Sequence, residues 1–298
     1  MFTKKRPDGT YIKNMHFFTR LMPYLMPTRT EAALYFEQEF DVTKTLEYVN
    51  KKKAAPDAPK ISMFYIILYA AIRVIAQRPK MNRFVSGFRY YQRKRISFNF
   101  IAKRDLSDEG EEINVTMSFS PFLSLEGFCK KIHDYISSLK KGSETSAENI
   151  NSFLTSLPRF LINTIFSFVK FLDYHNALPM SIIDSLPFFS TVFFANVGSV
   201  GIDAPFHHNF EIGNCGIFCA IGKIQKKHIL AKDGTIETSD MVKITFTFDD
   251  RITDGIYCAR AVDMVRELVE NPEKLEIPLE LTGEQLLNLG LSETELAV

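Results

Sequence analysis

Thr245-Phe-Thr-Phe-Asp-Asp-Arg-Ile-Thr-Asp-Gly255 decides how this chain is read. Ile244, Phe246 and Phe248 alternate with Lys243, Thr245 and Thr247. That is the period of two that sends alternate side chains to opposite faces of a strand. Polarity then gathers at Asp249, Asp250, Arg251 and Asp254, and the chain turns at Asp254-Gly255. From Ile256 to Glu270 the period changes, with Ala259, Val262, Val265, Leu268 and Val269 at three- and four-residue steps, the stripe of an amphipathic helix. Asn271-Pro272 stops it. A strand, a tight polar turn and a helix set reactive side chains at a sheet edge. The first candidates are therefore Asp250 and Asp254, with Gly255 as a structural residue of the turn.

The rest of the composition narrows the class. A chain of 298 residues, 46% of them hydrophobic, has material for a sizeable core, which excludes global disorder. With 27 Phe and no Trp, the aromatic excess reads as core and interface material. A net charge of +1 implies neither nucleic acid nor an anionic surface from bulk charge. No secretory leader is expected from Met1-Phe-Thr-Lys-Lys-Arg6. Four cysteines, Cys129, Cys215, Cys219 and Cys258, suit a reduced, cytoplasmic setting. No apolar run reaches about 18 residues, the length a membrane span needs.

Residues 1–14 read as a basic, extended arm. A strand is expected from Glu31 to Val42, with Thr43 capping a helix from Lys44 to Lys52. A loop covers 51–59, and a long apolar helix runs from Ser62 to Gln77 before Pro79. A hairpin region from Tyr90 to Ala102, an acidic turn at 105–112, a strand from Ile113 to Phe119 and a helix from Leu123 to Lys140 follow. A polar linker at 141–146 leads to an apolar helical insertion at 151–187. Its centre is Leu157-Pro-Arg-Phe-Leu-Ile-Asn-Thr-Ile-Phe-Ser-Phe-Val-Lys-Phe-Leu172. This helix is read as buried or packed between subunits. Lying on a membrane or closing an apolar channel is the lesser alternative, because its polar face is small. Residues 278–298 form an acidic tail with one or two short helices.

The motif itself resembles a known signature. Asp249-Asp250-Arg251-Ile252-Thr253-Asp254-Gly255 is similar to Asp-His-Arg-x-x-Asp-Gly. That signature marks the chloramphenicol acetyltransferases and the catalytic domains of dihydrolipoyl acyltransferases, the 2-oxoacid dehydrogenase acyltransferase family. A second stretch, Thr191-Val-Phe-Phe-Ala-Asn-Val-Gly-Ser-Val-Gly201, resembles the family's Phe-Thr-Ile-Ser-x-Leu-Gly-x-x-Gly. The resemblance covers about residues 15–277, as one catalytic domain. It implies an α/β two-layer sandwich of the chloramphenicol acetyltransferase type, a mixed sheet with helices on one face. It also implies a homotrimer with the site between subunits, and coenzyme A or acyl-CoA as co-substrate. Arg20 falls where the family keeps an arginine bridged to the motif aspartate, so an Arg20–Asp254 ion pair is expected.

Two family residues are changed. The histidine that serves as general base is Asp250, and the serine that supports the oxyanion is Ala195. A carboxylate is a far weaker base than imidazole unless burial raises its pKa, and it is shorter. Losing a positioned base costs about 10²–10⁴ in rate, and losing an oxyanion donor about 10²–10³. The unaltered mechanism therefore does not survive. Three substitutes are available: Asp250 as base in an apolar pocket, His207 or His208 as imidazole, and Asn196 as oxyanion donor beside Gly198. Against these stand plainer roles: Asp250 paired with Arg251 or a neighbouring subunit, surface or interface histidines, and an Asn196 that only holds its turn. The chain is thus expected to be a catalytically degenerate member, an acyltransferase with shifted residues fed by acyl-CoA or an acyl carrier, or a trimeric scaffold or regulatory subunit. Cys215-x-x-x-Cys219 has no matching second ligand pair, so no metal is expected. Asp249 and Asp250 are adjacent on a strand and would point to opposite faces, which argues against paired carboxylates for glycoside chemistry.

Overall fold

A computed structural model describes residues 4–54, 60–103, 112–140, 154–230 and 234–291. The expected loop at 51–59, acidic turn at 105–112, linker at 141–146 and end of the tail lie wholly or partly outside the described residues. In chain order the elements are β1 (Gly9–Tyr11), α1 (Phe17–Leu25), β2 (Ala33–Asp41), α2 (Thr43–Lys53), α3 (Met63–Gln77), β3 (Arg83–Ser86), β4 (Arg89–Arg93), β5 (Ile96–Lys103) and β6 (Glu112–Phe119). Then come α4 (Leu125–Lys140), α5 (Arg159–Tyr174), α6 (Met180–Ser185), β7 (Val192–Asn196), β8 (Ile217–Leu230), β9 (Ile236–Asp249), α7 (Gly255–Glu270) and α8 (Gly283–Leu289).

Among the described residues the main sheet runs β2-β9-β8-β7-β5-β6. β7 lies parallel to both β5 and β8, and the other pairings are antiparallel, so the sheet is mixed. The alternation read in β9 is realised. Ile244, Phe246 and Phe248 enter one large core with Ile217, Cys219 and Phe194, and helices α3, α4 and α7 contribute Ile66, Phe128 and Val262 to it. Thr245 and Thr247 face the other side, where Phe193, Phe218 and Ala220 are covered by Ala204 and Phe210 of the loop after β7. The helices pack on one face, and an irregular loop closes part of the other. α3 shows why: it buries ten of its fifteen residues, and Ser62 caps it by accepting from Tyr65 N.

Three local readings change. Thr43 is not the cap of α2. Val42 holds that position with no side-chain bond, while the Thr43 hydroxyl accepts from Asp240 N at 2.9 Å and ties the helix to β9. The N-terminal segment is not free: β1 pairs with β4, and Arg6 and Asp8 are buried as an ion pair at 2.6 Å. Arg6 also reaches Asp173 at 2.9 Å, which fastens α5 to the domain. Finally, α5 is not a buried helix: none of its sixteen residues is buried in the single chain.

Candidate functional site

The turn after β9 separates two neighbouring carboxylates. Asp249 continues the alternation that places Thr245 and Thr247 on the loop-covered face, and it is buried. Its oxygens accept from Arg251 Nε and a second guanidinium nitrogen, each at 2.7 Å. Arg251 donates further to the carbonyls of Met26 and Pro27, at 3.0 and 3.1 Å. Burial pulls against the Arg251 charge, but the hydrogen bonds and charge of Asp249 hold its pKa above the ordinary value. Buried Arg29 lies nearby and donates to the carbonyls of Phe210, Glu211 and Gly213. Burial lowers its pKa, and Asp249 is the main opposing charge. The Arg251 pairing thus belongs to Asp249, not to Asp250. Asp249 pairs with Arg251 and lends its charge to Arg29, so removing it would leave the buried Arg251 guanidinium without its counter-ion.

Asp250 donates through its backbone N–H to Ala32 O at 2.8 Å, and among the described residues its side chain makes no hydrogen bond. Its half-buried side chain opens on a cavity of about 510 Å³, whose polar lining includes His16, Lys80, Arg83, Thr253 and Asp254. Burial raises the Asp250 pKa, and the negative charge of Asp249 adds to the rise. Asp254 caps α7 by accepting from Tyr257 N at 2.8 Å. Among the described residues it makes no ion pair with Arg20, which is exposed and lines a different groove. The expected Arg20–Asp254 bridge is therefore replaced by Arg251–Asp249. Gly255 opens α7 with nothing within 4 Å of where a Cβ would stand, so the turn does not require glycine there.

The second anchor lies at the far end of the sheet. Ala195 pairs with Ala220, which pairs with Thr245, five residues before Asp250. At about 3.3 Å per residue that is roughly 17 Å along the strand. Asn196 ends β7 and makes no side-chain bond to the turn that follows, so it does not act as a cap. Gly198 is required by contact: a Cβ there would stand 2.2 Å from Gly222 O. His207 and His208 lie in the covering loop, on the face opposite the Asp250 cavity and outside its lining. Thr247 Oγ1 donates to His207 O and Thr245 Oγ1 to Pro205 O, which fastens the loop to β9. The His207 ring stacks on Phe218 at 3.9 Å between centroids.

The imidazoles differ in what they can do. A carbonyl only accepts, so His207 Nδ1–H donates to His208 O at 2.8 Å, and His208 Nδ1–H to Asn209 O at 3.1 Å. Each neutral ring then keeps its Nε2 lone pair, the requirement for a base. In His16 the roles reverse. Nδ1 accepts from Phe18 N at 3.4 Å, which leaves Nε2–H as a donor toward the cavity. His16, Lys80 and Arg83 carry no local motif. They reach the cavity because α1 and the start of β3 fold over the turn, so sequence reading passed them by. The burial of Arg29 was equally silent.

The thiols stay apart from this chemistry. All four cysteines are buried, and burial pushes Cys129 and Cys258 up to about 12. Cys215 and Cys219 belong to different core clusters. Among the described residues no three His, Cys, Asp or Glu side chains gather as a metal site.

The sequence of residues 190–277, which spans both anchors, matches the family model of the 2-oxoacid dehydrogenases acyltransferase (catalytic domain). Curated protein sequences return no match. Among solved structures, a probable dihydrolipoamide acetyltransferase from Listeria monocytogenes 4b F2365 superposes with TM-score 0.58 at 14% identity, over 91% of this chain and 99% of that one. Dihydrolipoamide acetyltransferase from Azotobacter vinelandii gives 0.57 at 13%, over 89% and 94%; its structural study concerns the role of a serine, a histidine and an asparagine in the catalytic mechanism. Chloramphenicol acetyltransferase gives 0.51 at 12%, over 88% and 98%. At these identities the likeness shows the fold, which is that of the chloramphenicol acetyltransferase type.

Proposed function

A chain that carries the acyltransferase catalytic-domain pattern over residues 190–277, on the matching fold through nearly its whole length, is, we propose, an acyltransferase-type domain that works between copies of itself with a shifted set of residues. The observation that carries this reading is the cavity of about 510 Å³ beside Asp250. The motif turn has lost its histidine, yet it opens on a space walled by a donor imidazole, three cations and two carboxylates.

Within one chain the base-capable histidines cannot serve that space, because they lie across the sheet from it. A trimer would supply them from a neighbour. Val200, Ile202 and Phe206, exposed in the same loop region, are apolar surface for such a contact. In this reading His207 or His208 of one copy takes the proton from an acceptor thiol or hydroxyl. The acceptor atom attacks the thioester carbonyl carbon of an acyl-CoA or acyl-carrier donor. His16 Nε2–H, Lys80 or Arg83 at the cavity, or the Asn196 amide brought by the neighbouring copy, then face the oxyanion, in place of the missing serine. Collapse expels the thiolate, which regains the proton from the imidazolium. Asp250 orients that imidazole or, with its raised pKa, is the alternative base. Buried, unpaired cysteines support a reducing, cytoplasmic compartment.

One observation favours a second reading, a trimeric scaffold or regulatory subunit: Ala195 has no hydroxyl to offer the oxyanion. Calorimetric titration with acetyl-CoA and free CoA separates the cases. Micromolar binding followed by acyl transfer that falls on His207→Ala or His208→Ala supports the first. Binding with no transfer to any acceptor tested supports the scaffold. No binding at millimolar ligand overturns CoA dependence.

A further inference from the structure

We propose that the face formed by α5, the β3–β4 turn and the outer side of α1 rests on an anionic phospholipid surface. The inference starts from α5. A helix that leaves large apolar side chains uncovered needs a partner or lipid for them, and α5 does so among exposed Asn163, Thr164 and Ser167. The inner side of α5, through Val169 and Leu172, packs on a small cluster of Leu178, Ile183 and Phe189. Its outer side is left open: Phe160 is 67% and Phe168 58% exposed, and Leu161 and Phe171 follow the same stripe. The domain occupies the side of α5 that holds Val169 and Leu172, so the outer side, where Thr164 and Ser167 stand among the phenylalanines, is the one left to meet a surface.

The patch continues beyond the helix. Phe88, at φ +59, holds a conformation bulky residues avoid. Its ring stacks on Tyr24 of α1 at 4.9 Å and meets Tyr174 of α5 at 6.0 Å. Phe17 and Leu21 extend the exposed stripe along α1. Two apolar helix faces are therefore joined by an aromatic bridge, with tyrosines beside it, the composition that favours the headgroup boundary.

Charge selects the occupant. The groove along α1 is lined by Lys4, Lys13, Arg20 and Arg89 with no carboxylate among its walls. Among the described residues none of the four has an ion-pair partner. On α5, Arg159 and Lys170 are the exposed charges, because Asp173 is taken by Arg6. The cleft between α1 and α5 also holds Asp173 and Glu211, but Asp173 pairs with Arg6 and Glu211 accepts from Thr30, so the four cations of the α1 groove set the charge of this face and complement acidic headgroups, while a two-fold copy of itself would set cation against cation. Among the described residues no helix is long and apolar enough to cross a membrane, so the contact lies along the surface. The inference does not depend on the acyl-transfer reading, whose subunit contact uses the loop after β7 and the cavity side of α1.

Co-sedimentation of the full chain with vesicles tests it. Vesicles of phosphatidylcholine with phosphatidylglycerol should bind about ten-fold or more tightly than phosphatidylcholine alone, and salt should weaken the binding. Phe160→Ser with Phe168→Ser should cut binding about ten-fold with the melting temperature unchanged, since both side chains are exposed. Lys13→Glu with Arg89→Glu should abolish the preference for anionic vesicles. Two outcomes would overturn the proposal. One is failure to bind either vesicle. The other is an oligomer that Phe160→Ser and Phe168→Ser dissociate without any vesicle binding, which would assign the face to a second copy.

Discussion

Asp249 and Asp250 are the same residue type at adjacent positions, and they have opposite fates. Asp249 is 2% exposed and holds Arg251 through two 2.7 Å bonds, with Arg29 close behind. Asp250 has no side-chain partner of this kind and looks into the open cavity. One step along a strand reverses the face, and the two faces here differ in kind: one is sealed by a fastened loop, the other ends at a cleft between α1 and α7. Holding the turn and facing the cavity are thus separate tasks of neighbouring residues: Asp249 and Arg251 hold the turn, and Asp250 faces the cavity.

The largest expected effect would break the comparison at its structural side. Asp249→Ala leaves the buried Arg251 guanidinium without its counter-ion and should cost about 3–5 kcal/mol, read as a lowered denaturation midpoint; a loss under about 1 kcal/mol would mean that the arginine finds water. Next is the chemical side. If transfer activity is found, His207→Ala or His208→Ala should lower it about 10²-fold or more, with the fold intact by circular dichroism. Equal activity of both variants and parent would leave Asp250 as the base.

Asp250→Asn sharpens the contrast further. The folded pKa of Asp250 is raised, so its carboxyl favours folding below its unfolded pKa and opposes it as pH rises through the folded value. The variant should match the parent below about pH 4 and melt slightly higher at neutral pH. A variant that melts lower at neutral pH would reveal a partner for the carboxylate. The smallest effect is expected at Arg20. Exposed and unpaired with Asp254, it should tolerate Arg20→Ala with the melting temperature nearly unchanged. The sequence resemblance argued the opposite, so a large loss would restore the bridge.

The fold was legible because its signals are local. The alternation in β9, the Ser62 start of α3 and the Asn271-Pro272 stop all depend on neighbours within a few residues, and each is realised; the stripe of α7 is realised from Val262 to Val269, while Ala259 is exposed and Cys258 and Ala261 take its place on the buried face. Contacts distant in sequence were not legible. Arg20 and Arg251 are both arginines near an aspartate in the family frame, and only packing reveals which one is enclosed. Likewise α3 and α5 look alike in composition. α3 buries ten residues under the sheet, whereas α5 is fastened outside through Arg6, Ser86 and Asp173 and buries none.

By itself, the sequence determined the strand, turn and helix around Asp250 and the acyltransferase-type pattern over residues 190–277, because periodicity, caps and motif spacing are written along the chain. The tertiary structure alone decided that Asp249 rather than Asp250 is the paired carboxylate, that His16, Lys80 and Arg83 share the cavity, and that the two anchors stand roughly 17 Å apart along the sheet. The physical reason is that burial and pairing depend on which distant segments fold over a residue. No local pattern in the chain records that.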